Sequence, residues 1–128
     1  MELIRIGYWN SSSESGWPDV QQMVDETYPR SDQVRVLTYL EHGMRAGQYR
    51  GYSWCRICGF EDNGSAEFTD GTYIWPAGLA HYVEKHSVRL PDEFLAHVEA
   101  QVAAMRDATI DDSWWISIAA AQSRETRG

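Results

Sequence analysis

Trp54-Cys55-Arg56-Ile57-Cys58-Gly59 contains both cysteines of this 128-residue chain, and His81-Tyr82-Val83-Glu84-Lys85-His86 follows with two of its four histidines. Two thiols and two imidazoles in this order are the donors of a Cys2His2 zinc site. A closed tetrahedral ion of that kind holds a fold together and leaves no coordination position for chemistry. A Cys-x-x-Cys turn followed by glycine aims both sulfurs into one small space, and Gly59 supplies the backbone freedom that the turn needs. The reading is one structural Zn2+ bound by Cys55, Cys58, His81 and His86.

The intervening residues set the fold around that site. Gln48 to Trp54 reads as a strand entering the cysteine turn, and Asp62-Asn63-Gly64 as a second turn before a strand at Ala66 to Thr69. Asp70-Gly71 then links to Thr72-Tyr73-Ile74-Trp75, and such a two-residue link suggests a type I′ hairpin. Pro76 suits the first position of a helix over Ala77 to His86, with Leu79, Tyr82 and Val83 inward. The expectation is an α+β domain: a small antiparallel meander carrying a structural zinc, flanked by helices. The zinc module spans about residues 48–90 of a single domain over 1–122, with 123–128 as a flexible tail.

Working outward, Leu3 to Trp9 reads as a short strand, followed by a polar serine loop at residues 10–16. Pro18 and Asp19 open a short helix that ends near Tyr28-Pro29, since the residue before proline is pushed out of the helical region. Ser31 is the expected N-cap of a helix over Asp32 to His42, stopped by Gly43. A last amphipathic helix starts near Pro91, with Phe94, Leu95, Val98, Val102 and Met105 on one stripe. Residues 113–121 fit either a strand or a helix.

Several features weigh against simpler variants of the site. A five-residue step turns an ideal helix through about 500°, so His81 and His86 converge only if the last turn is distorted. His42 and His97 are the alternative fourth ligands. The 22 residues between Cys58 and His81 exceed the roughly 12 of DNA-reading fingers. Trp54 to Cys58 also resembles the Trp-Cys-x-x-Cys motif of thioredoxins. That motif starts a helix, whereas Gly59 and Asp62-Asn63-Gly64-Ser65 break one. A zinc hydrolase reading of His81, Glu84 and His86 has the wrong spacing, and the two thiolates would fill the metal position that such enzymes keep open. Free thiols with packed or solvated histidines remain the plain alternative.

Charge and composition narrow the function classes. A formal net charge of −8 and an isoelectric point near 4.8 disfavour general binding to phosphate backbones. Against that trend, Met44 to Cys58 carries Arg45, Arg50 and Arg56 with Tyr49, Tyr52 and Trp54 and no acid. That face makes nucleic acid the alternative partner. No segment approaches the roughly 20 apolar residues of a membrane helix. The N-terminus has no signal-peptide pattern, and two metal-spaced cysteines suit a reducing, cytoplasmic compartment.

The run Trp54-Cys55-Arg56, Thr69-Asp70-Gly71, Trp75-Pro76-x-Gly78-Leu79-x-His81-Tyr82-Val83, His86 and Val88-Arg89-Leu90-Pro91 resembles a family of small bacterial proteins of unassigned activity. The resemblance covers about residues 48–98 and implies the same placement of the four zinc ligands. The functional expectation is a non-enzymatic zinc protein that binds another protein through acidic and aromatic surface, as an accessory or regulatory module. A nucleic-acid-binding zinc protein comes second, and a thiol redox protein or zinc hydrolase third.

Overall fold

The computed structural model describes residues 1–11, 16–48, 54–61 and 63–127. Residues 12–15 of the serine loop expected at 10–16, residues 49–53 of the strand expected over Gln48 to Trp54, Asp62 of the second turn and Gly128 lie outside the described residues. The fold is α+β. Among the described residues a four-stranded mixed sheet is accompanied by four α-helices, and none of the helices is long and apolar enough to cross a membrane. The chain divides into two compact units, Met1–Val98 and Glu99–Gly128.

In the first unit the strands are β1 (Ile4–Arg5), β2 (Met44–Gln48), β3 (Ala66–Thr69) and β4 (Tyr73–Pro76), in the spatial order β1-β4-β3-β2. β2, β3 and β4 form the antiparallel meander, and β1 adds a parallel edge to β4. The meander's first strand therefore begins at Met44, earlier than the sequence reading placed it. Helix α1 (Arg30–Glu41) starts directly after Pro29, which takes the N-cap position expected for Ser31. Val36, Leu37 and Leu40 form its buried face. Asp19 caps a 3₁₀ turn at Val20–Met23 by accepting from the Gln21 amide.

β4 runs through the centre of the core. Tyr73 and Trp75 are buried, and Phe94 of α3 (Asp92–Arg106) packs edge-on against Tyr73, with ring centroids 4.9 Å apart. Pro76 belongs to β4, so α2 begins at Leu79, three residues later than expected. Its inward residues Leu79, Tyr82 and Val83 are buried as their spacing implies.

The hairpin between β3 and β4 is not a type I′ turn. Gly71 has a φ of +94°, but Asp70 does not join it at positive φ, and Thr69 pairs with Ile74. The Asp70 side chain does the work of a tighter turn. Its Oδ1 accepts from the Thr72 and Tyr73 amides at 2.9 and 2.8 Å. Its Oδ2 accepts from the Tyr39 hydroxyl of α1 and lies 2.9 Å from His97 Nε2 of α3. One carboxylate thus ties the hairpin to two helices.

In the second unit, residues 99–106 complete α3 and α4 spans Ser113–Arg127. The open choice at 113–121 resolves as helix, which continues over most of the segment expected as a tail. Asp111 Oδ1 accepts from the Ser113 amide at 2.8 Å, and the Asp112 carbonyl accepts from Ile116. Polar residues that satisfy the first free amides favour a helix start over a strand.

Burial alone would raise the Asp70 pKa, but hydrogen bonds from Tyr39, the two amides and His97 outweigh it and hold the carboxyl below its usual 3.8. Burial and the same Asp70 bond push the Tyr39 phenol up. Replacing Asp70 with alanine strands these donors and should cost about 3 kcal/mol, measured by urea unfolding. Because the folded-state value is the lower one, the carboxylate's contribution is complete above the unfolded value of 3.8. It is lost as the pH falls through the folded value. Wild type should therefore lose more stability on acidification through this range than Asp70→Ala.

Candidate metal centre

The cysteine turn is built from backbone hydrogen bonds. The Cys55 amide donates to the Phe60 carbonyl at 2.8 Å, and the Gly59 amide to the Cys55 carbonyl at 2.9 Å. Gly59 takes a φ of +76° to close the loop, a conformation that disfavours any residue with a Cβ. The amides of Ile57 and Cys58 point at Cys55 Sγ from 3.4 and 3.5 Å. Two donors directed at one sulfur fix its position in the turn. Cys55 is fully buried, whereas Cys58 is exposed.

α2 supplies the other half. Ser87, its C-cap, sits in the left-handed region at φ 51°, ψ 36°, and its amide donates to the Tyr82 carbonyl five residues back. Val88 donates to the same carbonyl at 3.2 Å. A five-residue closure is π-type and widens the last turn. That widening is the distortion required by the five-residue histidine spacing. The two imidazoles lie with centroids 5.1 Å apart.

The four side chains converge. One ligand atom from each of Cys55, Cys58, His81 and His86 falls within 4.8 Å of the others. The approach of Cys58 Sγ to His81 Nε2 is 3.4 Å. A tetrahedral ion with usual metal–sulfur and metal–nitrogen bonds has edges of about 3.4–3.8 Å between donors. Among the described residues His86 Nε2 is buried without a hydrogen-bond partner, an arrangement that is costly for a polar atom unless something binds it. The cluster can hold a metal ion. Burial, followed by the charges of His86 and Lys85, pushes the His81 pKa down, which favours the neutral imidazole that a metal requires.

Neighbouring side chains position the ligands. The Tyr82 hydroxyl accepts from the Arg56 amide at 2.9 Å, joining α2 to the cysteine turn. It also hydrogen-bonds Cys55, and burial is the main cause of its raised pKa. Phe60 stacks on the His81 ring at 5.2 Å with an 18° interplanar angle. Gly78 lets the loop before β3 approach α2, since a Cβ there would lie 2.4 Å from the Asn63 carbonyl oxygen. Sequence reasoning placed Tyr82 only as a core residue and gave Phe60 no role. Spacing marks ligands, but the partners that orient them lie on other elements.

The remaining sequence candidates fall elsewhere. His42 Nδ1 is 2.6 Å from the Thr38 carbonyl at the end of α1, and His97 faces Asp70. Neither joins the cluster. In the expected basic face, Arg56 stacks its guanidinium on Trp54 at 4.5 Å, and Trp54 is exposed. Tyr49, Arg50 and Tyr52 lie outside the described residues.

Compared with known proteins, the chain matches no protein-family model, curated protein or solved structure.

Tyr82→Phe should weaken metal affinity about tenfold, the usual effect of removing a group that orients a ligand. Competition with a chromophoric chelator measures it, and unchanged affinity would remove Tyr82 from the site. The metal-free chain should also lose stability on acidification. His81 titrates lower when folded than its unfolded 6.5, so its neutral form contributes fully above that value and the contribution disappears as the pH falls through the folded one.

Proposed function

We propose that this chain is a non-enzymatic, structural-zinc protein whose role is to bind another protein, as an accessory or regulatory module. The observation that supports it is the donor set. Two sulfurs and two imidazoles complete a tetrahedron and leave no position for a substrate or an activated water. Thiolate and imidazole together suit Zn2+ better than the oxygen-seeking divalent ions. A reducing, cytoplasmic compartment would keep the cysteines available as ligands.

The surface supports the rest of the reading. With the metal closed, activity belongs to the faces that the fold presents. Trp54, Trp114 and Trp115 are exposed, and exposed tryptophans are frequent anchors of protein contacts. The acidic balance of the chain favours a protein partner over a phosphate backbone.

Native mass spectrometry of the full chain should find one zinc ion per molecule. Cys58→Ser should abolish it and lower Tm by more than about 10 °C, because binding energy at such a site is folding energy. A metal-free protein of full stability that cycles a Cys55–Cys58 disulfide would overturn the zinc reading. For the partner, affinity capture with the zinc-loaded chain should return a protein that Cys58→Ser does not retain. Retention of nucleic acid in its place would establish the alternative.

A further inference from the structure

The two sulfurs of the cluster differ in access. Cys55 is fully buried, and the Ile57 amide, the Cys58 amide and the Tyr82 hydroxyl all reach its side chain. Cys58 is exposed, and its contact with His81 Nε2 lies at the surface. A Cβ built on the adjoining Gly59 would meet nothing within 4 Å, so this side of the turn is open to a small reagent.

That asymmetry has a chemical consequence. A sulfur that ligates a metal does so as thiolate, the nucleophilic form. Oxidation selects the accessible thiolate, and its product is reversible where a second cysteine stands close enough to resolve it. The two sulfurs lie within 4.8 Å of one another, and a disulfide needs about 2.0 Å. Cys55 is held by its donors, so the exposed Cys58 side chain is the one that turns to close the gap.

We propose that Cys58 is the site at which a hydroperoxide acts on this protein, converting the ligand pair into a Cys55–Cys58 disulfide. The Cys58 thiolate attacks one peroxide oxygen, the O–O bond breaks, and the departing oxygen takes a proton from solvent; with hydrogen peroxide it leaves as water. The Cys55 thiolate then attacks Sγ of the Cys58 sulfenic acid, the S–O bond breaks, and the hydroxide leaves as a second water after taking a proton. Two electrons pass from the sulfurs to the peroxide. Neither disulfide sulfur remains a thiolate donor, so four ligands fall to two imidazoles and the ion is released. The inference rests on the structural-zinc reading and assigns a regulation to that same site. Of the contacts described between the cysteine turn and α2, the Tyr82 hydroxyl bond to the Arg56 amide does not depend on the metal.

The zinc-loaded full chain, treated with a small molar excess of hydrogen peroxide beside a chromophoric zinc chelator, should release one zinc for each disulfide formed. Its covalent mass should fall by two hydrogens, and its Tm should drop to that of the chelator-stripped chain. A phosphine reductant followed by zinc should restore both. Dimedone present during a brief exposure should label Cys58 over Cys55 by at least about tenfold. Labelling mainly at Cys55, a disulfide that forms with zinc retained, or oxidation directly to sulfinic acid overturns the proposal. A zinc-loaded chain that keeps both thiols and its metal under peroxide also overturns it, and leaves the zinc reading intact. A chain that holds no zinc before the oxidant is added overturns both.

Discussion

The closure of α2 on the Tyr82 carbonyl is the constraint on which the four-residue cluster depends. With a regular α-helical end, His86 would point well away from His81, and the cluster would have three members. The Ser87 and Val88 amides both reach that one carbonyl, and Ser87 adopts a left-handed conformation that costs a non-glycine residue about 1 kcal/mol. The outgoing chain helps hold it there. Ser87 accepts from the Asp25 amide, Arg89 donates to the Met23 carbonyl, and Val24 and Val88 form an antiparallel bridge. The geometry of the fourth ligand is thus fixed partly by a segment about sixty residues away in sequence.

Tyr82 links both halves of the site through different atoms. Its carbonyl shapes the helix end that carries His86, and its hydroxyl accepts from Arg56 in the cysteine turn. Its ring lies 5.7 Å from that of Trp9, in an edge contact within the core. Packing, helix termination and ligand placement therefore meet in one residue. A buried hydroxyl needs a partner to offset its desolvation, and the turn supplies one. The core and the metal centre are consequently not independent modules.

Much of this was legible in the sequence because it depends on local rules. Cysteine spacing, the glycine that follows, and the helical placement of Leu79, Tyr82 and Val83 pointed to the four side chains that the fold brings together and to the α+β class. Errors arose where tertiary contacts compete with local preference. Asp-Gly suggested a type I′ turn, but the Asp70 carboxylate satisfies two turn amides and two helix partners, which favours a wider hairpin. Pro76 has the propensity of a helix start, yet pairing with Glu67 keeps it in β4. Ser31 is a good N-cap by chemistry, yet Pro29, with a φ of −60°, already precedes the helix in extended conformation. The five-residue histidine spacing signalled a distortion, but which backbone groups produce it could not be read from composition.

β4 connects two kinds of fastening. At its start, Asp70 joins the hairpin to α1 and α3 through hydrogen bonds that need no metal. Beyond its end, Gly78 admits the Asn63 loop, and α2 carries the histidines to the cysteine turn. The Asp70 end resembles an ordinary domain, with a buried carboxylate satisfied by fixed donors. At the other end the connection from β2 to β3 carries the cysteine turn. Cys55 is buried there, while Trp54 and Phe60 are exposed. An ion held by the cluster would fix the turn and the helix against each other with directional bonds. The division of labour follows from where the bulky residues lie: Tyr39, Tyr73, Trp75 and Phe94 gather near Asp70, and the polar ligands gather where that aromatic packing ends.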